Sequence, residues 1–524
     1  MAAAAKMKLK LMVNKASNGV VFAECDSEFV DILFSFLTLP MGAIIHLSGK
    51  ETKMGCVDVL YQSLEELDKR YFQNKACKSM LLQPRSSTEL KCANLAVNYV
   101  AAPTGYHLYG CCDPTCGIYN RLVSDYNDCQ CSCGRIMNYQ LTVRCPVGST
   151  DHGVFVQGKR DFLVRDDLQV IPVVATSSMS IMKKIGLTDG NSVEARNVEI
   201  GLQEVLCLLK CALQSQTALT DAFLSKPTEQ VKLKTDDQKI SKPREQVKPI
   251  KRMARPSRSS TLIKQTETDG RRMVGKLVIN RSTKQVLYLE AKEDLVNQIL
   301  SFLTFPLGSV LKLIRGRSPL MLGCVGNIYE AARDFGTDEL RLFNSEESKA
   351  ELLGPSLGPF LGCDGQLLTG LVQAISPPFY TAFCSRYGHD PPCSRDIVHT
   401  KPRKCKHGVS KAKLKPINPK LSNAVREKGG GFVKMNTKYM ITDELSIKPL
   451  SSSTVLLLMN KVTANEVEEQ DISIGEEEAV KLLRAAMTSK TVLTDVFCPK
   501  KEEHQVLSPE LSTVSEIEEQ FVFL

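Results

Sequence analysis

Thiols dominate the chemistry on offer in this chain. The stretch "CCDPTCGIYNRLVSDYNDCQCSCG", residues 111–134, holds six of the nineteen cysteines. Four thiolates arranged as two close pairs across a loop are the usual donor set of a structural zinc site. Cys112-x3-Cys116 offers one pair and Cys131-x-Cys133 the other, with Cys111 and Cys129 as spare donors. Gly117 and Gly134 follow the last cysteine of each pair, where a glycine lets the backbone turn and aim N–H groups at sulfur. Four thiolates on Zn²⁺ carry a net negative charge that Arg121 and Arg135 would offset. Two other readings stand beside zinc: unconnected buried thiols, and a dithiol redox centre. The redox reading lacks the Cys-x2-Cys that opens a helix after a strand. Catalytic zinc would keep an open position beside a carboxylate or histidine, and only His107 and His152 flank the cluster.

Other reactive patterns are missing from the sequence. It contains no Walker loop, no His-Glu-x-x-His, no Gly-x-Ser-x-Gly and no dinucleotide Gly-x-Gly-x-x-Gly. "GPSLGPFLG" (354–362) is glycine-rich but lacks the Lys-Ser/Thr of a phosphate loop, so it reads as a surface loop. The acid pairs Asp166/Asp167 and Asp443/Glu444 read as turn or capping residues, because neighbours on a strand face opposite ways. No catalytic residue is assigned.

The elements that must position the cysteines are written twice. Residues 14–42 slid onto 280–308 give ten identities, and residues 199–224 on 473–498 give twelve, including "LTDAF" against "LTDVF". This predicts a tandem duplication of one module. "KLKLMV" alternates as a half-buried strand, "NKASNG" turns, and "VVFAE" returns, which makes a hairpin. Val30, Leu33, Phe34 and Leu37 then share one helical face, as do Val296, Ile299, Leu300 and Leu303, until Pro40 or Pro306 ends the helix. "GCVDVLYQSLEEL" and "GCVGNIYEAARDF" predict another helix in each copy, and the stripes Val205, Leu208, Leu209, Ala212 and Ala479, Leu482, Leu483, Ala486 a last one. The fold class is α+β. The second copy keeps only Cys384, Cys393 and Cys405 with His389, His399 and His407, so its metal site reads as lost.

Charge divides the chain further. Residues 226–272 contain 14 Lys/Arg against 6 Asp/Glu, and 401–428 contain 10 against one, while the whole chain carries only +9. The basicity therefore belongs to these two stretches, which read as disordered because they offer little apolar surface to bury. The expected organisation is a first module at 1–225, a basic linker at 226–272, and a second module at 273–400 and 429–524 around a basic insertion at 401–428. Stretches 29–47 and 295–314 approach bilayer length, but each is broken by Pro-x-Gly and reads as two short buried elements. The lysines of "MAAAAKMKLKLMV" interrupt any secretory core, so the expected compartment is the cytoplasm, with nuclear entry through "KPIKRMARPSR" (248–258). Neither basic stretch holds an aromatic residue, so nucleic-acid contact would be weak and independent of sequence.

In combination, "FLTLPMG", "YGCCDPTC…CSCGRIMN", "FLVRDDLQVIPVVATSS" and "IGLQEVLCLLK…TALTDAFLSKP" resemble the plant family named for domain of unknown function 674. The resemblance implies a plant source and a repeated module but no activity. Its cysteine pairs are similar to those here, which implies Cys112, Cys116, Cys131 and Cys133 as the ligand set. The expected function is a non-enzymatic interaction or scaffold protein with about one structural zinc and an unidentified protein partner. An enzyme of unrecognised chemistry near the cysteines is the alternative.

Overall fold

In a computed structural model, described residues are 6–99, 106–113, 116, 121–144, 153–158, 160–173, 190–224, 271–315, 322–335, 342–368, 370–371, 373–384, 397–398, 409–421, 430–459 and 466–499. The linker 226–270, and Gly117, Cys145, His152, His389, Cys393, His399, Cys405 and His407, lie outside them.

The alternation at the start of the chain becomes β1 (Met7–Asn14), with Met7, Leu9, Leu11 and Val13 buried and Lys8 and Lys10 exposed. It pairs with β2 (Val20–Asp26), and Asp26 then caps the helix Ser27–Ser35 by accepting from the Glu28 and Phe29 N–H groups. The predicted apolar stripe is this helix, tightened into a 3-10 turn over Phe36–Thr38 before Pro40. A cysteine-bearing lobe follows: β3 (Tyr106–Gly110), β4 (Leu122–Val123), β5 (Cys129–Gln130), β6 (Ile136–Met137) and β7 (Tyr139–Arg144). β8 (Asp161–Arg165), β9 (Val170–Pro172) and β10 (Val193–Ile200) complete a five-stranded antiparallel sheet ordered β10-β1-β2-β8-β9.

The second half repeats that order. β11 (Met273–Asn280) and β12 (Val286–Ala291) form its hairpin. After β13 (Tyr380–Cys384), β14 (Ile397–Val398), β15 (Val409–Lys413) and β16 (Lys415–Pro416) come β17 (Tyr439–Thr442), β18 (Ile447–Pro449) and β19 (Val467–Ile474). The sheet reads β19-β11-β12-β17-β18, and its hairpin register slips at Val278/Ile279 as the first slips at Met12/Val13. Mixed helices and strands make the fold α+β, as expected from the sequence.

The halves interlock. Pro40 faces Pro306 in an antiparallel bridge, with Met41 N–H donating to Phe305 O at 3.0 Å and Leu307 N–H to Leu39 O at 2.9 Å. Gly55-Cys56 hooks onto the second half, where Cys56 N–H donates to Ala486 O at 2.8 Å and its thiol to Ser489 O at 3.0 Å. Gly323-Cys324 returns the grip on Ala212 O and Ser215 O at the same distances. Both glycines take positive φ, +40° and +48°, and a Cβ on either would press on the opposing backbone. Phe335 of the second half packs against Phe34 and Phe162 of the first, at centroid distances of 5.6 and 6.0 Å. One continuous apolar core runs through both halves.

A third sheet draws strands from both, in the order β15-β13-β14-β7-β3, with β14 parallel to β7; β16 also lies parallel to β4. This overturns the expected disorder over 409–421, inside the 401–428 insertion. Leu414, Ile417 and Lys420 are buried there, and Lys413 and Lys415 point out. The lysines count as charge but alternate with residues that fill the core, which is a strand pattern rather than a linker pattern.

Candidate metal centre

Two turns bring the thiols together. The first follows β3, which ends at Gly110, so that Cys111 is buried while Cys112 is exposed. The Cys112 N–H donates to Ile136 O of β6 at 3.2 Å. The second turn joins β5 to β6 and is closed by Cys131 N–H to Arg135 O at 2.8 Å and Gly134 N–H to Cys131 O at 2.9 Å. Gly134 holds φ +85° in that turn, a conformation that a side chain would strain.

The sulfurs of Cys111, Cys116, Cys131 and Cys133 all lie within 4.8 Å of one another. Cys111 and Cys133 stand 3.6 Å apart, as do Cys116 and Cys131. Zn–S bonds of ~2.3 Å in a tetrahedron put sulfurs ~3.8 Å apart, so the spacing suits one four-coordinate ion. It is too tight for iron–sulfur clusters, which place several atoms between their cysteines. Backbone N–H groups aim at the sulfurs: Asp113 donates to Cys111 at 3.4 Å and Arg135 to Cys133. The Arg135 N–H draws the Cys133 thiol down to about 7, whereas burial pushes Cys111 up. A cation bound here would favour the thiolate at all four.

Three of the four residues expected from the sequence, Cys116, Cys131 and Cys133, are in the group. Cys112 is not, and its neighbour Cys111 takes the place. Cys129 is directed elsewhere: its thiol meets Ser124 Oγ at 2.9 Å and donates to Tyr126 O at 3.0 Å, and burial pushes it up to about 12. Arg135 forms an ion pair with Asp113 at 2.8 Å, closing the rim of the site. His107 is buried in β3, with Nδ1 3.5 Å from Thr142 Oγ1, and burial lowers its pKa. Cys384 ends β13, paired with Val409.

The acid pairs do structural work. Asp166 accepts from both N–H and Oγ1 of Thr220 at 2.7 Å, and Asp443 accepts from Thr494 at 2.8 and 2.7 Å. Each threonine hydroxyl in turn accepts from the first N–H of a hairpin strand, Val20 at 2.8 Å or Val286 at 2.9 Å. The repeated "LTD" is thus a tie between the last helix and the sheet.

One polar cluster escaped sequence reasoning. The half-buried Arg85 guanidinium lies 4.1 Å from the Tyr106 ring centroid, 3.4 Å from Glu89 Oε2 and 3.6 Å from Asp125 Oδ1. Arg85 N–H also donates to the Tyr126 hydroxyl at 2.8 Å, which fixes the segment leading to Cys129 and Cys131. Arg85 and Glu89 are four residues apart, but Tyr106, Asp125 and Tyr126 join them from elsewhere in the sequence with no spacing signal. The cavity that they line, about 20 Å³, has room for about one water.

Residues 3–477 match the model of a family described as protein of unknown function (DUF674). No curated protein and no solved structure matches the chain.

Proposed function

We propose that this chain, which belongs to the DUF674 family, is a non-enzymatic interaction or scaffold protein whose four thiols hold one structural zinc ion. The carrying observation is the closed donor set: Cys111, Cys116, Cys131 and Cys133 supply four sulfurs at one-ion spacing. A complete thiolate tetrahedron leaves no position for water or substrate, which is the mark of structural zinc. Its placement supports a bracing role. The ligand turns fall between β3 and β7, while β4 and β7 pair with strands of the second half. Zinc would therefore stiffen the lobe through which the third sheet joins the halves, its binding energy adding to folding energy. Beside the ligands, Ile136 is 42% and Tyr139 62% exposed, an apolar contact for a protein partner.

Elemental analysis of protein made with zinc available tests the reading. About one zinc per chain is expected, lost in Cys111→Ser, Cys116→Ser and Cys131→Ser and retained in Cys112→Ser and Cys129→Ser. Zinc near zero in the unaltered protein overturns it. Ligand loss should also lower the melting temperature, whereas Tyr139→Ala should leave folding intact and weaken any partner that co-purifies.

A further inference from the structure

Outside the tetrad, the helix Leu202–Gln214 carries two further thiols at helical spacing, Cys207 and Cys211. Residues four apart lie over one another on one face, so Cys207 and Cys211 share a face of this helix. Cys207 is exposed and Cys211 half-buried against the core. Lys210 stands next to them with its ammonium 3.2 Å from Glu51. The matching helix of the second half, Glu476–Thr488, has Lys481 and Ala485 at these positions, and Lys481 pairs with Glu477 at 3.0 Å. The thiol pair belongs to one half alone.

We propose that Cys207 and Cys211 form a second, surface-facing metal site that takes one Cu(I) ion between two thiolates. A direct disulfide fits poorly, because Cβ atoms one helical turn apart are ~5–6 Å from each other and a disulfide needs ~3.5–4.5 Å. An ion seated between the sulfurs spans that extra distance without unwinding the helix. Zinc fits poorly as well, since it asks for four donors. The nearby carboxylates are engaged: Glu204 accepts from Gly201 N–H at 2.9 Å, and Asp221 from Ser215 Oγ at 2.5 Å. Two soft sulfurs with no hard partner select a soft ion. On binding, both thiols release their protons to solvent and no electron is transferred. Exposure on one side leaves the ion open to attack by an incoming thiol, the arrangement of a site that exchanges its metal.

The test is an anaerobic Cu(I) titration of the full chain against a competing chromogenic chelator, with zinc measured in parallel. The expected result is about one Cu(I) per chain, taken up without release of zinc. Cys207→Ser and Cys211→Ser should each abolish that uptake with an unchanged melting temperature, and Cys498→Ser should retain it. Copper uptake that persists in the double variant, or that matches zinc release one for one, overturns the proposal. Because dependence on Cys207 and Cys211 is read directly, a chain without zinc would refute the tetrad and leave this result interpretable.

Discussion

Asp31 and Asn297 occupy the same turn of the same helix in the two halves, and each serves as acceptor for a buried loop. Asp31 takes the N–H groups of Val154, Phe155 and Val156 at 2.5, 2.8 and 2.9 Å. Asn297 Oδ1 takes those of Phe432 and Val433 at 2.7 and 3.2 Å. Both side chains are buried, at 2% and 8% exposure. The backbone asks only for an acceptor, since a buried unpaired N–H is costly. A neutral amide answers at every pH. The carboxylate makes one more bond but must be desolvated, and burial raises Asp31 to about 6 against the pull of three N–H groups and Lys91. One architecture thus tolerates two chemistries, and only the first half becomes sensitive to pH through this residue.

The equivalence of the halves can be broken most severely at the hooks. Gly55→Ala and Gly323→Ala each place a Cβ against opposing backbone at positive φ. Each should cost ~3 kcal/mol or more, and by similar amounts, in denaturant unfolding. A silent substitution on one side would show that the grip is not reciprocal. Next come the acceptors themselves. Asp31→Ala strands three buried donors and Asn297→Ala two, for losses of ~3 and ~2 kcal/mol in the same measurement. A larger loss at Asn297 would contradict the bond count.

The mildest and most diagnostic change is Asp31→Asn, which gives the first half the chemistry of the second. Because its folded value exceeds the ordinary 3.8, the folded chain keeps the Asp31 proton where the unfolded chain has lost it. That contribution is whole below the unfolded value and is lost as pH rises through about 6. The stability of the unaltered protein relative to Asp31→Asn should therefore fall by ~2–3 kcal/mol between about pH 4 and 7. Asp58, Asp166 and Asp443, also raised by burial, are present in both proteins and cancel. A flat difference across that window would remove Asp31 as the source.

Period-two and helical patterns were enough to place β1, β2 and the helices Ser27–Ser35 and Val57–Glu66, because burial on one face enforces them. The thiol cluster was legible as a region but not as a set. Cys111 and Cys112 are adjacent, and extending the alternation of Leu108 and Gly110 would have pointed Cys112 inward. The strand stops at Gly110, and the turn that follows reverses the choice. In "VSKAKLKPI" (409–417) the alternation was present, but a count of charges hid it. The hooks carried no signal at all, since Gly-Cys before a helix looks the same whichever half it grips.

Those reciprocal hooks change what a domain boundary means in this molecule. Each half supplies backbone partners and aromatic packing to the other, so the two share one core. A nick in the chain between residues 224 and 271 would then liberate no independent piece. It would turn a single polypeptide into two non-covalently joined fragments of one particle, with Gly55-Cys56 and Gly323-Cys324 still engaged.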